Sequence, residues 1–215
     1  MCSDGQGFFR NKKGRKQLRI LIICGFVGAG KTTLLLQMAR YLSDYQDAGA
    51  GEFRRVMILK DEILGKGIDD RVLRSSGFAA EATAGEDITA SAVQAFQNFQ
   101  TEEENGRAVP EWLIIELCGL TDPAVLKERL IEVTDTVPLV VDVVDISRWK
   151  QFLVPSKGLL KKQVENADIV LLNKIDLASF QTVEAVAEDI QVYHEDARCF
   201  PVSALHAIDP DVWRQ

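Results

Sequence analysis

Long apolar runs are missing from this chain: nowhere do 18 consecutive apolar residues occur, so no helical membrane span is expected. Histidine is scarce, with only His194 and His206, and the four cysteines at 2, 24, 118 and 199 never adopt a C-x-x-C spacing. That excludes a zinc site readable from the sequence. Cys24 and Cys199 lie where a reduced cysteine serves as a small apolar filler, and the two histidines read as surface residues. Excess positive charge is also lacking: 25 Lys and Arg against 32 Asp and Glu give a net charge of −7, which argues against a nucleic-acid partner. Trp112 and Trp149 have no basic groove-like surroundings, so they read as packing residues rather than base-stacking platforms.

What is present divides unevenly. Arg10, Lys12, Lys13, Arg15 and Lys16 crowd the first 17 residues, opposed only by Asp4. The leader lacks the roughly 7 to 15 apolar residues of a secretory core, since only Phe8 and Phe9 precede the charges. Residues 1–17 are therefore expected to be a solvated basic tail on a cytoplasmic protein with no membrane association. Residues 18–215 fit one large domain, and 47% apolar content over the 215 residues is ample for a core.

Apolar runs recur at 18–24, 56–59, 112–115, 138–144, 168–172 and 198–202, separated by amphipathic segments. Continuous apolarity, as in VPLVVDVV and ADIVLLN, predicts strands covered on both faces. The fold class is thus α/β, a mostly parallel sheet with helices on both faces. Helices are predicted over 31–45, 86–100, 123–132 and 181–193, the third opened by an Asp122 cap and Pro123. TEEENGR at 101–107 reads as a surface connection, and 61–85 as a long mobile loop suited to sensing phosphate. The terminal DPDVWRQ, with Trp213, is expected to be poorly ordered.

Residues 25–32 read GFVGAGKT, a full G-x-x-x-x-G-K-[ST] match between the run LRILIIC and the helix-forming TLLLQMARYL. Strand, glycine-rich turn and helix follow in the order of a P-loop NTPase. The amides around Gly28, Ala29 and Gly30 can form an anion nest, reinforced by the helix N-terminus. Lys31 is expected to reach the β- and γ-phosphates, Thr32 to ligate a bridging Mg2+, and Thr33 to brace the α-phosphate.

Three further segments extend the pattern. EWLIIELCG at 111–119 ends a strand in Glu116, placed for Mg2+ or the attacking water, and Gly119 can bring its amide to a γ-phosphate. NKID at 173–176 follows the strand IVLL about 140 residues beyond the P-loop. Asp176 can accept from both donors of guanine, Asn173 can bond the purine edge and the Lys174 stem can lie on the ring; adenine offers no matching donors. Ser203 and Ala204 follow the last strand where a backbone amide can support the guanine carbonyl. GTP with Mg2+ is the expected ligand.

In order, GFVGAGKTT at 25–33, DEILGKGID at 61–69, IELCGLTDP at 115–123 and NKID at 173–176 resemble the CobW/HypB/UreG family of P-loop GTPases. The resemblance runs from about residue 18 to 206 and is most specific in IELCGLTDP. It implies Lys31 and Thr32 as phosphate and Mg2+ contacts, Glu116 and Gly119 as the E-x-x-G pair, and Asn173 with Asp176 for the base. It also implies Asp61 and Glu62 near the Mg2+ shell, with Asp69 closing that loop. Members are metallochaperones or activators that serve metallo- or corrinoid clients while hydrolysing GTP slowly, and commonly dimerise.

Departures bear on function. Where the family usually carries G-C-x-C-C, this chain has Phe78-Ala79-Ala80-Glu81 after Gly77, so the usual thiolates are missing. Leu64 replaces a usual loop glycine, and the sequence given stops soon after SALH, where relatives append a second domain. The leading expectation is a GTPase activator of a client protein. Its rivals are a metallochaperone using Cys118, His194 or His206 in an oligomer, a nucleotide-dependent small-molecule kinase, and a binding module without turnover.

Overall fold

The computed structural model describes residues 18–44, 56–62, 78–84 and 87–213; the basic leader and residues 63–77, with Leu64 and Asp69, lie outside these. Seven strands form one sheet: β1 (Arg19–Cys24), β2 (Val56–Glu62), β3 (Ala79–Ala84), β4 (Trp112–Glu116), β5 (Leu139–Asp145), β6 (Ile169–Asn173) and β7 (Arg198–Pro201). Their order is β3-β2-β4-β1-β5-β6-β7, and every pairing is parallel. The helices are α1 (Lys31–Asp44), α2 (Ile88–Glu104), α3 (Pro123–Thr134), α4 (Trp149–Leu153), α5 (Lys157–Glu165), α6 (Phe180–Tyr193) and the short α7 (Pro210–Trp213).

Alternation along each strand builds two separate cores. Ile20, Ile22 and Cys24 of β1 face a layer made by α2 through α6, with Ile88, Leu126, Trp149, Leu160 and Val186 against them. Leu21 and Ile23 face the opposite layer, where Leu34, Leu35 and Met38 of α1 pack. Each such buried aliphatic contributes about 1.5–3 kcal/mol. Helices therefore cover both faces, as the continuous apolar runs require.

Three features differ from the sequence expectation. The stretch 61–85 is not wholly a connection, because Ala79–Ala84 forms the edge strand β3 in register with Met57–Glu62. AAEATA carries no bulky apolar run, so periodicity could not reveal it; pairing with β2 supplies what the side chains do not. Helices α4 and α5 were also invisible, being short and interrupted. The terminal segment is not loose: Pro210–Trp213 is helical, and Val212 and Trp213 pack half-buried on the α1 layer. Asp122 caps α3 as read, its side chain accepting from the Ala124 amide at 3.0 Å.

Candidate functional site

The crossover from β4 to β5 passes over β1, so the sheet's topological switch lies at the carboxyl end of β1, where open α/β sheets bind ligands. There the 25–30 turn leads into α1. To one side β4 delivers Glu116; to the other β5 delivers Asp145, and β6 delivers Asn173. The residues expected at the phosphates and those expected at the base thus gather at the carboxyl end of the sheet, on opposite sides of the P-loop.

Lys31 is buried and folds back, donating to the carbonyls of Gly25 at 2.9 Å and Phe26 at 3.3 Å. Burial holds its ammonium below the ordinary lysine range, while Glu116 and other nearby acids pull the other way. Thr32 donates its hydroxyl to both oxygens of Glu116, at 2.8 and 2.9 Å. Glu116 is itself buried. Thr33 is exposed on the first turn of α1.

The acid expected beside them, Asp61, ends β2 but turns to the following segment: its Oδ2 accepts from the Cys118 amide and the Thr121 hydroxyl, both at 3.3 Å. It therefore pins the ELCGLT stretch. Of Glu62 only the backbone, closing β2, is described. Gly119 lies so close to the P-loop that a Cβ would stand 2.5 Å from the Val27 nitrogen, which makes glycine obligatory.

At the end of β6, Asn173 serves the scaffold with both ends of its amide. Nδ2 donates to the Ala29 carbonyl at 2.7 Å and Oδ1 accepts from the Ala204 amide at 2.9 Å, which leaves the second Nδ2 hydrogen unused by these two bonds. Gly30, at φ +101°, accommodates this: a Cβ would sit 2.4 Å from Asn173 Nδ2. Asp176 is exposed, with Oδ1 accepting from the buried Ser203 hydroxyl at 2.5 Å. Lys174 occupies the left-handed region at φ 69°, costly for a side chain with a Cβ, and its ammonium is held by Asp145 at 2.7 Å.

Two buried acids, and Arg148 beside one of them, escaped the sequence reading. Asp145, whose side chain is 3% exposed, also accepts from Arg148 Nε at 2.7 Å and from the Ser147 hydroxyl at 2.6 Å. Burial would raise its pKa, but the bonds from Lys174, Ser147 and Arg148 outweigh that and hold it below the usual carboxylate range. Asp142, three residues earlier, is the opposite case. Burial pushes it up to about 7, and its side-chain partner is the Cys24 thiol at 3.7 Å. Both acids sit inside the run VPLVVDVVD, where the apolar signal masked them; an acid in a strand otherwise covered on both faces was the available clue.

Cys118 is half-buried, His194 packs a ring nitrogen 3.2 Å from the Val164 carbonyl, and His206 is exposed. Among the described residues no group of three or more His, Cys, Asp or Glu could hold a metal ion, and no helix is long and apolar enough to cross a membrane.

The family description CobW/HypB/UreG, nucleotide-binding domain, matches residues 19–201. Solved structures share the fold. Zn(II)-bound YjiA GTPase from E. coli aligns at 21% identity and TM-score 0.65, covering 93% of this chain and 61% of that one. HypB from Helicobacter pylori in complex with nickel aligns at 21% identity and TM-score 0.59, with 92% and 82% covered. The signal recognition particle receptor FtsY from Elizabethkingia anophelis aligns at 18% identity and TM-score 0.57, with 93% and 65% covered. The chain therefore spans about three fifths of the YjiA and FtsY chains.

Proposed function

The chain belongs to the CobW/HypB/UreG family through its nucleotide-binding domain, and on that premise we propose that it binds GTP with Mg2+, hydrolyses it slowly and uses the cycle to activate a metallo- or corrinoid-dependent client. The observation that carries this reading is the 2.7 Å bond from Asn173 to the Ala29 carbonyl, which ties the guanine-type NKID motif directly to the phosphate loop. One ligand can then touch both.

The chain's own residues divide the work. Lys31 exchanges the Gly25 and Phe26 carbonyls for phosphate oxygens, a stronger, charge-assisted partnership. Thr32 and Glu116 offer only oxygen ligands, the set that suits Mg2+, and would hold it together with the phosphates. Bound there, the ion would neutralise charge developing on the phosphates. Glu116 keeps an acceptor at the phosphate end, while Asp176, braced by Ser203, accepts from guanine. Gly119 approaches the loop from the γ-phosphate side, so gain or loss of that group moves the segment pinned by Asp61. Val27 and Leu120, 55% and 59% exposed beside it, give a client an apolar surface that changes with the nucleotide.

Affinity measured for GTP, ATP and XTP with Mg2+ on the parent and Asp176→Asn tests the reading. GTP should bind best to the parent, and the variant should lose GTP and gain XTP. Unchanged selectivity would remove guanine recognition from the argument.

A further inference from the structure

We infer that Arg148, held by Asp145, is a positioning residue that aims the Val27–Gly28 peptide at the bound phosphates and couples that peptide to the base reader. The inference rests on the nucleotide-binding reading above.

Three contacts fix the guanidinium. Nε donates to Asp145 Oδ2 at 2.7 Å, Nη2 donates to the Val27 carbonyl at 3.3 Å, and the group lies 5.0 Å from the centre of the Phe152 ring. Phe152 in turn packs against Phe26 of the P-loop, ring centroids 4.4 Å apart. The platform under the cation therefore leans on the loop that the cation serves.

The consequence follows from peptide geometry. The described backbone contains no cis bond, so the Val27 carbonyl and the Gly28 amide point in opposite directions across one rigid plane. A cation bonded to the oxygen on the outer side sets the orientation of that plane. It also draws electron density from the amide, strengthening the N–H as a donor. The Gly28 amide makes no backbone hydrogen bond among the described residues, so its hydrogen is available to an anion. Gly28 must lack a side chain for this to work, because a Cβ would stand 2.8 Å from Arg148 Nη2.

Asp145 Oδ2 receives Arg148 Nε and Lys174 Nζ, each at 2.7 Å. Lys174 belongs to the base reader, so one buried oxygen joins the two ends of the nucleotide site. The Gly119 backbone also passes close to Val27, near enough that an added Cβ would stand 2.5 Å from its nitrogen. The backbone of Val27 thus lies between the Gly119 segment and the Arg148 clamp that shares Asp145 with Lys174.

The test is direct binding of GTP, GDP and guanosine to the full chain with Mg2+, for the parent, Arg148→Ala, Arg148→Lys, Lys174→Ala and the Arg148→Ala/Lys174→Ala double variant, alongside thermal melts. Arg148→Ala should weaken GTP and GDP about tenfold, the size of one charge-assisted hydrogen bond, and leave guanosine unchanged. Arg148→Lys should recover only part, since an ammonium cannot present the planar fork that reaches Asp145 and Val27 together. The double variant should lose less than the product of the single losses; a strictly multiplicative loss overturns the coupling. Equal affinity for GTP in parent and Arg148→Ala overturns the aiming role alone, and an equal fall for guanosine reduces it to general structural support, which also overturns it. If Arg148→Ala does not fold, Arg148→Lys decides, with parent-like affinity as the refuting result. A parent that binds no purine triphosphate overturns both this inference and the reading beneath it.

Discussion

Replacing Asp142 by Asn should stabilise the protein in a strongly pH-dependent way. The carboxyl is 2% exposed and, among the described residues, has no cation at hydrogen-bond distance; the Cys24 thiol at 3.7 Å, the more distant Lys31 charge and the Val143 backbone offset its burial only in part. Burial pushes it up to about 7, whereas an unfolded aspartate titrates near about 3.9. Between those values the native state holds a proton that the unfolded chain has released, so stability falls as pH rises, by about 1.36 kcal/mol per unit. The full penalty above pH 7 is about 4 kcal/mol, most of which accrues between pH 5 and 8. The Cys24 thiol, pushed well up by burial and by Asp142, stays neutral through that window. An Asn carbonyl can still accept from Cys24 but cannot ionise. Urea unfolding of both proteins from pH 5 to 8 should show the advantage of Asp142→Asn widening steadily with pH, by on the order of 1 kcal/mol per unit. A constant gap would show that Asp142 ionises normally in the folded protein and would refute the burial argument.

Gly30→Ala should destabilise by about 1–3 kcal/mol and impair GTP binding, because the new Cβ meets Asn173 Nδ2 in a backbone conformation that disfavours side chains; parent-like melting and affinity would contradict the geometry. Thr32→Val removes the hydroxyl that faces Glu116, so GTP affinity should become nearly the same with Mg2+ as with a chelator, checked by calorimetry in both conditions. A full Mg2+ dependence in that variant would exclude Thr32 as a ligand.

Sequence legibility tracked the size of the physical signal. β1, β5 and β6 are covered on both faces, so their apolar runs were visible even with Asp142 and Asp145 inside β5, and the P-loop announced itself by glycine spacing. β3 was hidden because an alanine-rich edge strand obtains its order from hydrogen bonds to β2 rather than from side-chain pattern. At the site, Lys31, Thr32, Glu116, Gly119, Asn173, Asp176 and Ser203 come to one sheet edge, since each follows a strand end or the P-loop. Asp61 could not be aimed from sequence, because its partners, Cys118 and Thr121, lie 57 and 60 residues away. Asp145 and Arg148 were missed for the same reason: their meaning comes from Lys174 and Val27, one on the neighbouring strand's end and the other 121 residues away.

These distant contacts share a purpose that explains why the P-loop can receive an anion at all. A peptide loop carries as many acceptors as donors, and any carbonyl facing a phosphate would repel it. Here Lys31 covers the Gly25 and Phe26 carbonyls, Arg148 covers Val27, Asn173 covers Ala29, and the Leu34 amide covers Gly30. The amides of Gly28, Gly30 and Lys31 have no backbone acceptor among the described residues. The loop therefore keeps amides unengaged while three separate elements occupy the carbonyls of Gly25, Phe26, Val27, Ala29 and Gly30. In the proposed nucleotide complex only Lys31 of these clamps would let go, while Arg148 and Asn173 would stay, so a nest that exists before its ligand would meet little reorganisation on binding.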